Sequence, residues 1–441
     1  MYIISNIKNL FIFTGLLLCL TVCDISAVHA NDDLSSISNE TSVTTTLSIS
    51  TPTPKLLSGK TSTLRTAATS HSAVVVLGLS EGATVIAAKN NSKVLNIALK
   101  GGNKNLIIPN GIWYTGKTII VRNNTTLTFN GKLHQLEAAS EQEDYFLLRI
   151  SGRNVTLNNP WLSQKGRVYP HGTHACLAIY GAYNIGNIKI NGGILEWGAS
   201  NNFQGGRNNT VFNGTIFRDS VEHLVYANGI SGNGSKSARS NGLVFNNCVF
   251  ERPGNGLYKE LEANHIQIRN YKNVEFNNCI VKGKKKTSPN QYGILVTNIK
   301  GMTINDTIFS DYTAGLLYTG KGTKEVVFNR VTAAGNGNKH IRRSHESGDV
   351  LFINCIFDNP YGIAGDTKFN NCIFKPTKYY MKSIKGAKII FESCTWDYSK
   401  STYSKAFVKE EGSTVTFTGT QTKIAPEDGH SLNWGLLSTE G

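Results

Sequence analysis

From about residue 126 onward one short pattern recurs: apolar residues alternating with polar ones, then Asn-Asn or a close variant, then a small or apolar residue and a second short apolar run. Leu243-Val-Phe-Asn-Asn-Cys248, Val274-Glu-Phe-Asn-Asn-Cys279, Met302-Thr-Ile-Asn-Asp-Thr307 and Thr367-Lys-Phe-Asn-Asn-Cys372 show it plainly. The units end at residues 160, 193, 215, 248, 279, 307, 331, 355, 372 and 394, so successive steps run from 17 to 33 residues, and a step near 22 fits one bare coil. Alternation with a period of two predicts strands with one face inward. Asn tolerates the left-handed region, so it suits a corner, and its amide can bond to the Asn of the next coil. Short strands, corner Asn and a varying period together predict an all-β chain, a right-handed parallel β-helix solenoid; the crossover preference of parallel strands supplies the hand. Steps longer than a bare coil imply insertions at about 192–247 and 249–278, expected to bulge from one side and wall a binding site.

The pattern also divides the chain. Residues 1–30 carry Lys8, the apolar run Leu10–Leu20 and Val28-His29-Ala30, the signature of a cleaved export signal. Residues 31–70 are Ser/Thr-rich and poor in large apolar residues, and read as a disordered linker. Residues 71–441 form the β-helix domain, with an N-terminal cap and first coils over 90–130 and C-terminal coils and a cap over 377–441. Within the first cap, Asn91-Ser92 reads as an N-cap for a short helix carrying Val94, Leu95, Ile97 and Ala98 and ending at Gly101-Gly102. Such a helix covers the open end of the core and its unpaired strand edge.

Composition refines this picture in two ways. The formal charge is +15, and loss of residues 1–30 removes one Lys and one Asp, so the exported chain keeps it. Charge alone does not separate nucleic acid, anionic membrane and polyanionic polysaccharide, and simple solubility is the plainer account. Of eight cysteines, Cys19 and Cys23 fall in the signal, while Cys248, Cys279, Cys355, Cys372 and Cys394 share one place in the repeat. A shared place predicts a stack of inward thiols rather than a disulfide framework. No metal-ligand spacing such as C-x-x-C occurs, so no zinc site and no cofactor are expected; calcium, whose oxygen ligands need no fixed spacing in a solenoid, stays open.

Candidate chemistry concentrates between Arg207 and Arg269, in Phe217-Arg-Asp-Ser-Val-Glu-His-Leu-Val-Tyr226 and Leu257-Tyr-Lys-Glu-Leu-Glu-Ala-Asn-His-Ile-Gln-Ile-Arg269. An unbroken strand would send His223 and Tyr226 to opposite faces, whereas His265 and Gln267 share one, with Ile266 and Ile268 on the core side. Lys282 and Lys284-Lys285-Lys286 are most simply a solvated loop. Structural roles compete with functional ones at each of these positions.

The helix-and-strand opening, His-Leu-Val-Tyr226, Tyr-Lys259-Glu and Ala-Asn-His-Ile-Gln267 together resemble the pectin-lyase-like β-helix superfamily, and within it the bacterial β-helix alginate lyases. The fold resemblance covers most of residues 75–400; the functional one rests on the two short runs. It implies that a tyrosine and a lysine act on the sugar, here Tyr226 and Lys259, while the extended Glu-Leu-Glu-Ala-Asn-His stretch departs from the pattern around Lys259. The implied chemistry is β-elimination in a uronate polymer, alginate foremost. Arg239, Arg269, His265, Asn264 and Gln267 are candidates to neutralise the substrate carboxylate, with Arg207 as a further binding cation. Lys259 and Tyr226 divide base and acid in either order, and His223 is a third candidate. The expected partner is an acidic polysaccharide, not nucleic acid, and the exported chain is expected to be a monomer without a membrane-inserted segment. A C5-epimerase abstracts the same proton. A glycoside hydrolase using Glu222 with Glu260 or Glu262, or a non-catalytic glycan-binding solenoid, are the other readings.

Overall fold

The computed structural model describes residues 72–141, 145–169, 173–181, 185–229, 239–254, 264–283, 292–334, 340–343, 347–377 and 380–438. The export signal and linker expected over 1–70, Lys259 and Lys284-Lys285-Lys286 lie outside them. Among the described residues the strands pair in parallel with their counterparts a coil before and a coil after, in one 24-stranded and one 13-stranded sheet. This is a right-handed parallel β-helix. Each complete coil runs through three faces. Val225–Asn228 lies on the first, Ser240–Asn246 on the second and Val249–Glu251 on the third; the first two faces share the larger sheet.

The repeat motif forms the second face and its corner. Phe212, Phe245 and Phe276 stand in register and stack inward, with ring centroids 5.1 and 4.7 Å apart. The stack resumes from Phe328 through Phe352, Phe369 and Phe391 to Phe417 at spacings of 4.6 to 5.4 Å. Each such ring contributes about 2–3 kcal/mol by leaving water. Between the second and third faces two neighbouring positions make the corner, and both carry amide bonds from coil to coil. Asn213, Asn246, Asn277 and Asn305 form an amide ladder, each donating to the one before at 2.8–2.9 Å. The following residue, as at Asn247 and Asn278 (both φ 53°), takes the left-handed turn and also joins the coils, Asn278 Nδ2 donating to Asn247 Oδ1 at 2.8 Å. The cysteine after that turn faces the core. Cys248 and Cys279 direct their Sγ to the carbonyl oxygens of Phe212 and Phe245, and all six cysteines of the β-helix are free, buried thiols. Burial pushes the Cys394 thiol up to about 11.

The N-terminal helix differs from its sequence reading. It spans Val85–Ala98 with Thr84 as N-cap, whose Oγ1 accepts from Ala87 N at 3.1 Å. Asn91 and Ser92 lie inside it, buried, because their side chains serve the first coil instead. Asn91 donates to the Ser80 and Tyr114 carbonyls, and Ser92 Oγ accepts from Gly116 and Lys117 N–H. Leu95 and Leu99 close the core beneath. At the other end, Gly435–Ser438 forms a 3-10 turn that buries Leu437. No helix among the described residues is long and apolar enough to cross a membrane.

The longer steps do not all arise on one side. Residues 164–174, 252–265 and 283–291 enter the first face from the third, whereas 229–239 leave it for the second. A long connection therefore follows the first-face strand carrying Tyr226, and another precedes the one carrying Gln267.

Candidate functional site

On the first face, Val225, Ile266 and Ile294 point into the core, so their neighbours must point out. Arg149, Ala178, Gln204, Tyr226, Gln267, Leu295 and Tyr318 form one outward row in register, from the N-terminal to the C-terminal side. Arg269, two residues beyond Gln267, lies on the same face. Its guanidinium sits 5.5 Å from the Tyr226 ring centroid, within cation–π range.

His223 joins this row against the alternation rule. The strand begins only at Val225, and the His265 carbonyl accepts from both Leu224 and Val225 N–H at 3.1 Å. Two donors on one carbonyl break the period. The His223 and Tyr226 rings consequently lie nearly parallel, 11° apart with centroids at 5.7 Å.

Gln267 ties the group together. Its amide satisfies its neighbours with the oxygen toward Arg269, accepting from Nε at 2.9 Å and from Nη2, and the nitrogen donating to His223 Nε2 at 2.9 Å. His223 Nδ1 lies against the Asn264 backbone, 3.1 Å from its N–H and 3.2 Å from its carbonyl oxygen. Glu222 brings a carboxylate beside His223, its Oε1 3.7 Å from Nε2 and its Oε2 accepting from Ser200 Oγ at 2.8 Å. The described residues thus gather a phenol, an imidazole, a guanidinium, an amide and a carboxylate on adjacent coils.

Three expected binding residues have other employment. His265 does not share the outer face with Gln267: it is fully buried, and its Nδ1 lies 3.2 Å from the Tyr292 carbonyl. Burial lowers it to about 4, partly offset by that carbonyl, so at neutral pH it carries no charge to offer a carboxylate. Gly283 makes room for it, since a Cβ there would come within 2.9 Å of Nε2. Arg207 is 3% exposed and donates to the Gly206 and Gly181 carbonyls. Arg239 donates to the Asn298 carbonyl and Oδ1 and to the Gly322 carbonyl, clamping coils together. Asn264 supports the site from behind, its Oδ1 accepting from Tyr292 N–H.

Sequence reading missed Gln204, Ser200 and Asn201. Their only linear signal is the polar run Ser-Asn-Asn-Phe-Gln204 standing where other coils are apolar. Asn201 Nδ2 donates to Gln204 Oε1 at 3.2 Å, and Gln204 pairs in register with Tyr226. Among the described residues no group of three or more His, Cys, Asp and Glu is placed to hold a metal ion.

No protein family and no curated protein matches this sequence. Solved structures similar in fold include the catalytic domain of Agl-KA (TM-score 0.47, 12% identity, 78% of this chain and 68% of that one). They include PfbA, a surface adhesin of Streptococcus pneumoniae (0.44, 11%, 80% and 90%). An endo-xylogalacturonan hydrolase from Aspergillus tubingensis is a third (0.38, 12%, 82% and 94%). At these scores and identities the likeness carries nothing about activity.

Proposed function

We propose that this protein is a secreted polysaccharide lyase that cleaves an acidic uronate polymer, alginate foremost, by β-elimination. The observation that carries the reading is the linked set Tyr226, Arg269, Gln267 and His223 on one outward face between long connections. A C5 proton beside an ionised carboxylate leaves only once that carboxylate's charge is offset, and Arg269 and Gln267 supply a cation and an amide for the purpose. A base takes the C5 proton, the C4–O4 bond breaks as the C4–C5 double bond forms, and an acid protonates O4. Tyr226, His223 and Lys259 are the groups assigned to these two transfers. The formal charge of +15 favours approach of a polyanion, and the export reading places the enzyme outside the cytoplasm.

The test is a panel of uronate polymers assayed for ultraviolet absorbance by the new double bond, with Tyr226→Phe and Lys259→Ala beside wild type. Loss of roughly 100-fold or more in rate is expected for each. Absorbance that never rises on any uronate sinks the lyase reading; a changed residue ratio by NMR without absorbance indicates epimerisation, and new reducing ends without unsaturation indicate hydrolysis.

A further inference from the structure

Buried polar side chains in folded proteins almost always find partners, because each one left without a hydrogen bond costs about 1–3 kcal/mol. Two that do not are neighbours on the first face, just N-terminal to Tyr226. His174 is 4% exposed, and neither ring nitrogen has a hydrogen bond. Asn201, 2% exposed, has an Oδ1 with none, and its N–H donates to the His174 carbonyl. A third group, Arg149 Nε, is also unbonded and belongs to the outward row of Gln204 and Tyr226.

The surroundings have the make-up of a sugar site. The His174 ring stacks on Tyr169, with centroids 3.8 Å apart at 8°, and meets Tyr145 edge-on at 5.0 Å. Tyr145 remains 39% exposed. Arg167 pairs with Glu137 at 2.5 Å, and Tyr169 donates to the same carboxylate, so the wall is braced from behind. Asn201 Nδ2 donates to Ser200 Oγ, and Ser200 donates to Glu222, so this group is joined by hydrogen bonds to the residues beside His223.

We infer that Arg149, His174 and Asn201 form a subsite for a further sugar unit of the polymer that reaches Tyr226. The inference rests on the proposed function for its substrate class. A neutral imidazole presents one donor and one acceptor, and Asn201 Oδ1 is an acceptor. Hydroxyl groups satisfy all three, whereas a carboxylate alone does not. Arg149 adds a cation three coils from Tyr226, about 14 Å at roughly 4.8 Å per coil. That separation suits a short oligosaccharide running along the solenoid axis.

The test uses the full chain carrying Tyr226→Phe, so that the ligand stays uncleaved, with a mannuronate or guluronate hexasaccharide in calorimetry, alongside thermal denaturation. His174→Phe keeps the aromatic sandwich and removes two idle polar atoms; Asn201→Ala is the second variant. The subsite predicts about tenfold weaker binding in both, the loss of roughly one good hydrogen bond, with Tm unchanged or raised in His174→Phe. Unaltered affinity overturns it, as does weaker binding accompanied by a fall in Tm in both variants. Tyr226→Phe separates the two claims: it is expected to bind the hexasaccharide while failing to cleave the polymer. Binding of neither hexasaccharide by that chain overturns both the subsite and the substrate class.

Discussion

Gln267 can join His223 to Arg269 because an amide carries both a donor and an acceptor, and no other uncharged side chain of that length does. His265, two residues earlier, shows what the opposite environment does to a titratable group. Its ordinary value of 6.5 falls to about 4 on burial, so between those limits the unfolded chain binds a proton that the folded chain refuses. Its contribution is complete above pH 6.5 and is lost as pH falls toward 4, on the order of 1 kcal/mol per pH unit. His174, lowered to about 4 by burial and then by the Arg167 charge, acts in the same direction. The Tm of wild type is therefore expected to drop steeply on acidification through this window. His265→Asn keeps a donor for the Tyr292 carbonyl and removes the proton site, so its Tm should fall less steeply. Parallel slopes would remove His265 as a cause.

At the level of the coil, the part-buried Asn ladder and the left-handed turn beside it can be weakened by different substitutions. Asn246 donates to Asn213 and accepts from Asn277, so Asn246→Ala breaks two bonds inside a stack and is expected to cost about 1–3 kcal/mol. Asn247, at φ 53°, takes the turn and accepts from Asn278 at an exposed position, so Asn247→Gly should lose only that solvent-replaceable bond, where Asn247→Val loses roughly a further 1–2 kcal/mol to strain. Chemical denaturation of the three variants measures both. A smaller loss in Asn246→Ala than in Asn247→Val would rank the turn above the ladder. These corners were legible in the sequence because strand, Asn pair and thiol recur within six residues. The helix start was not, since Asn91 and Ser92 find their partners at Tyr114 and Gly116, more than twenty residues on. The site was half legible. Tyr226, Gln267 and Arg269 follow from alternation, but the break that turns His223 toward them depends on the carbonyl of His265, and the clamp that occupies Arg239 depends on Asn298 and Gly322. Contacts between coils cross steps of irregular length, and no local period reports them.

Over the whole molecule, stability comes from each coil lying on the one before it, without a covalent tie between coils: the six cysteines of residues 72–438 are all thiols. Neighbours in the stack lie close, as the shared placement of Cys355 and Cys372 on the carbonyls of Phe328 and Phe352 shows. For a chain read as exported, that arrangement sets a race. A thiol is out of reach of an oxidant only after the coil above has docked, and until then a disulfide between neighbours competes with closure. Refolding from denaturant in an oxidising glutathione buffer is expected to give several-fold less native protein than refolding under reducing conditions. The same oxidant added to folded protein should leave Tm where it was. Equal yields in the two buffers would show that closure outruns oxidation even in the unfolded chain. The thiol stack thus makes order of assembly, and not only final packing, something the sequence has to secure.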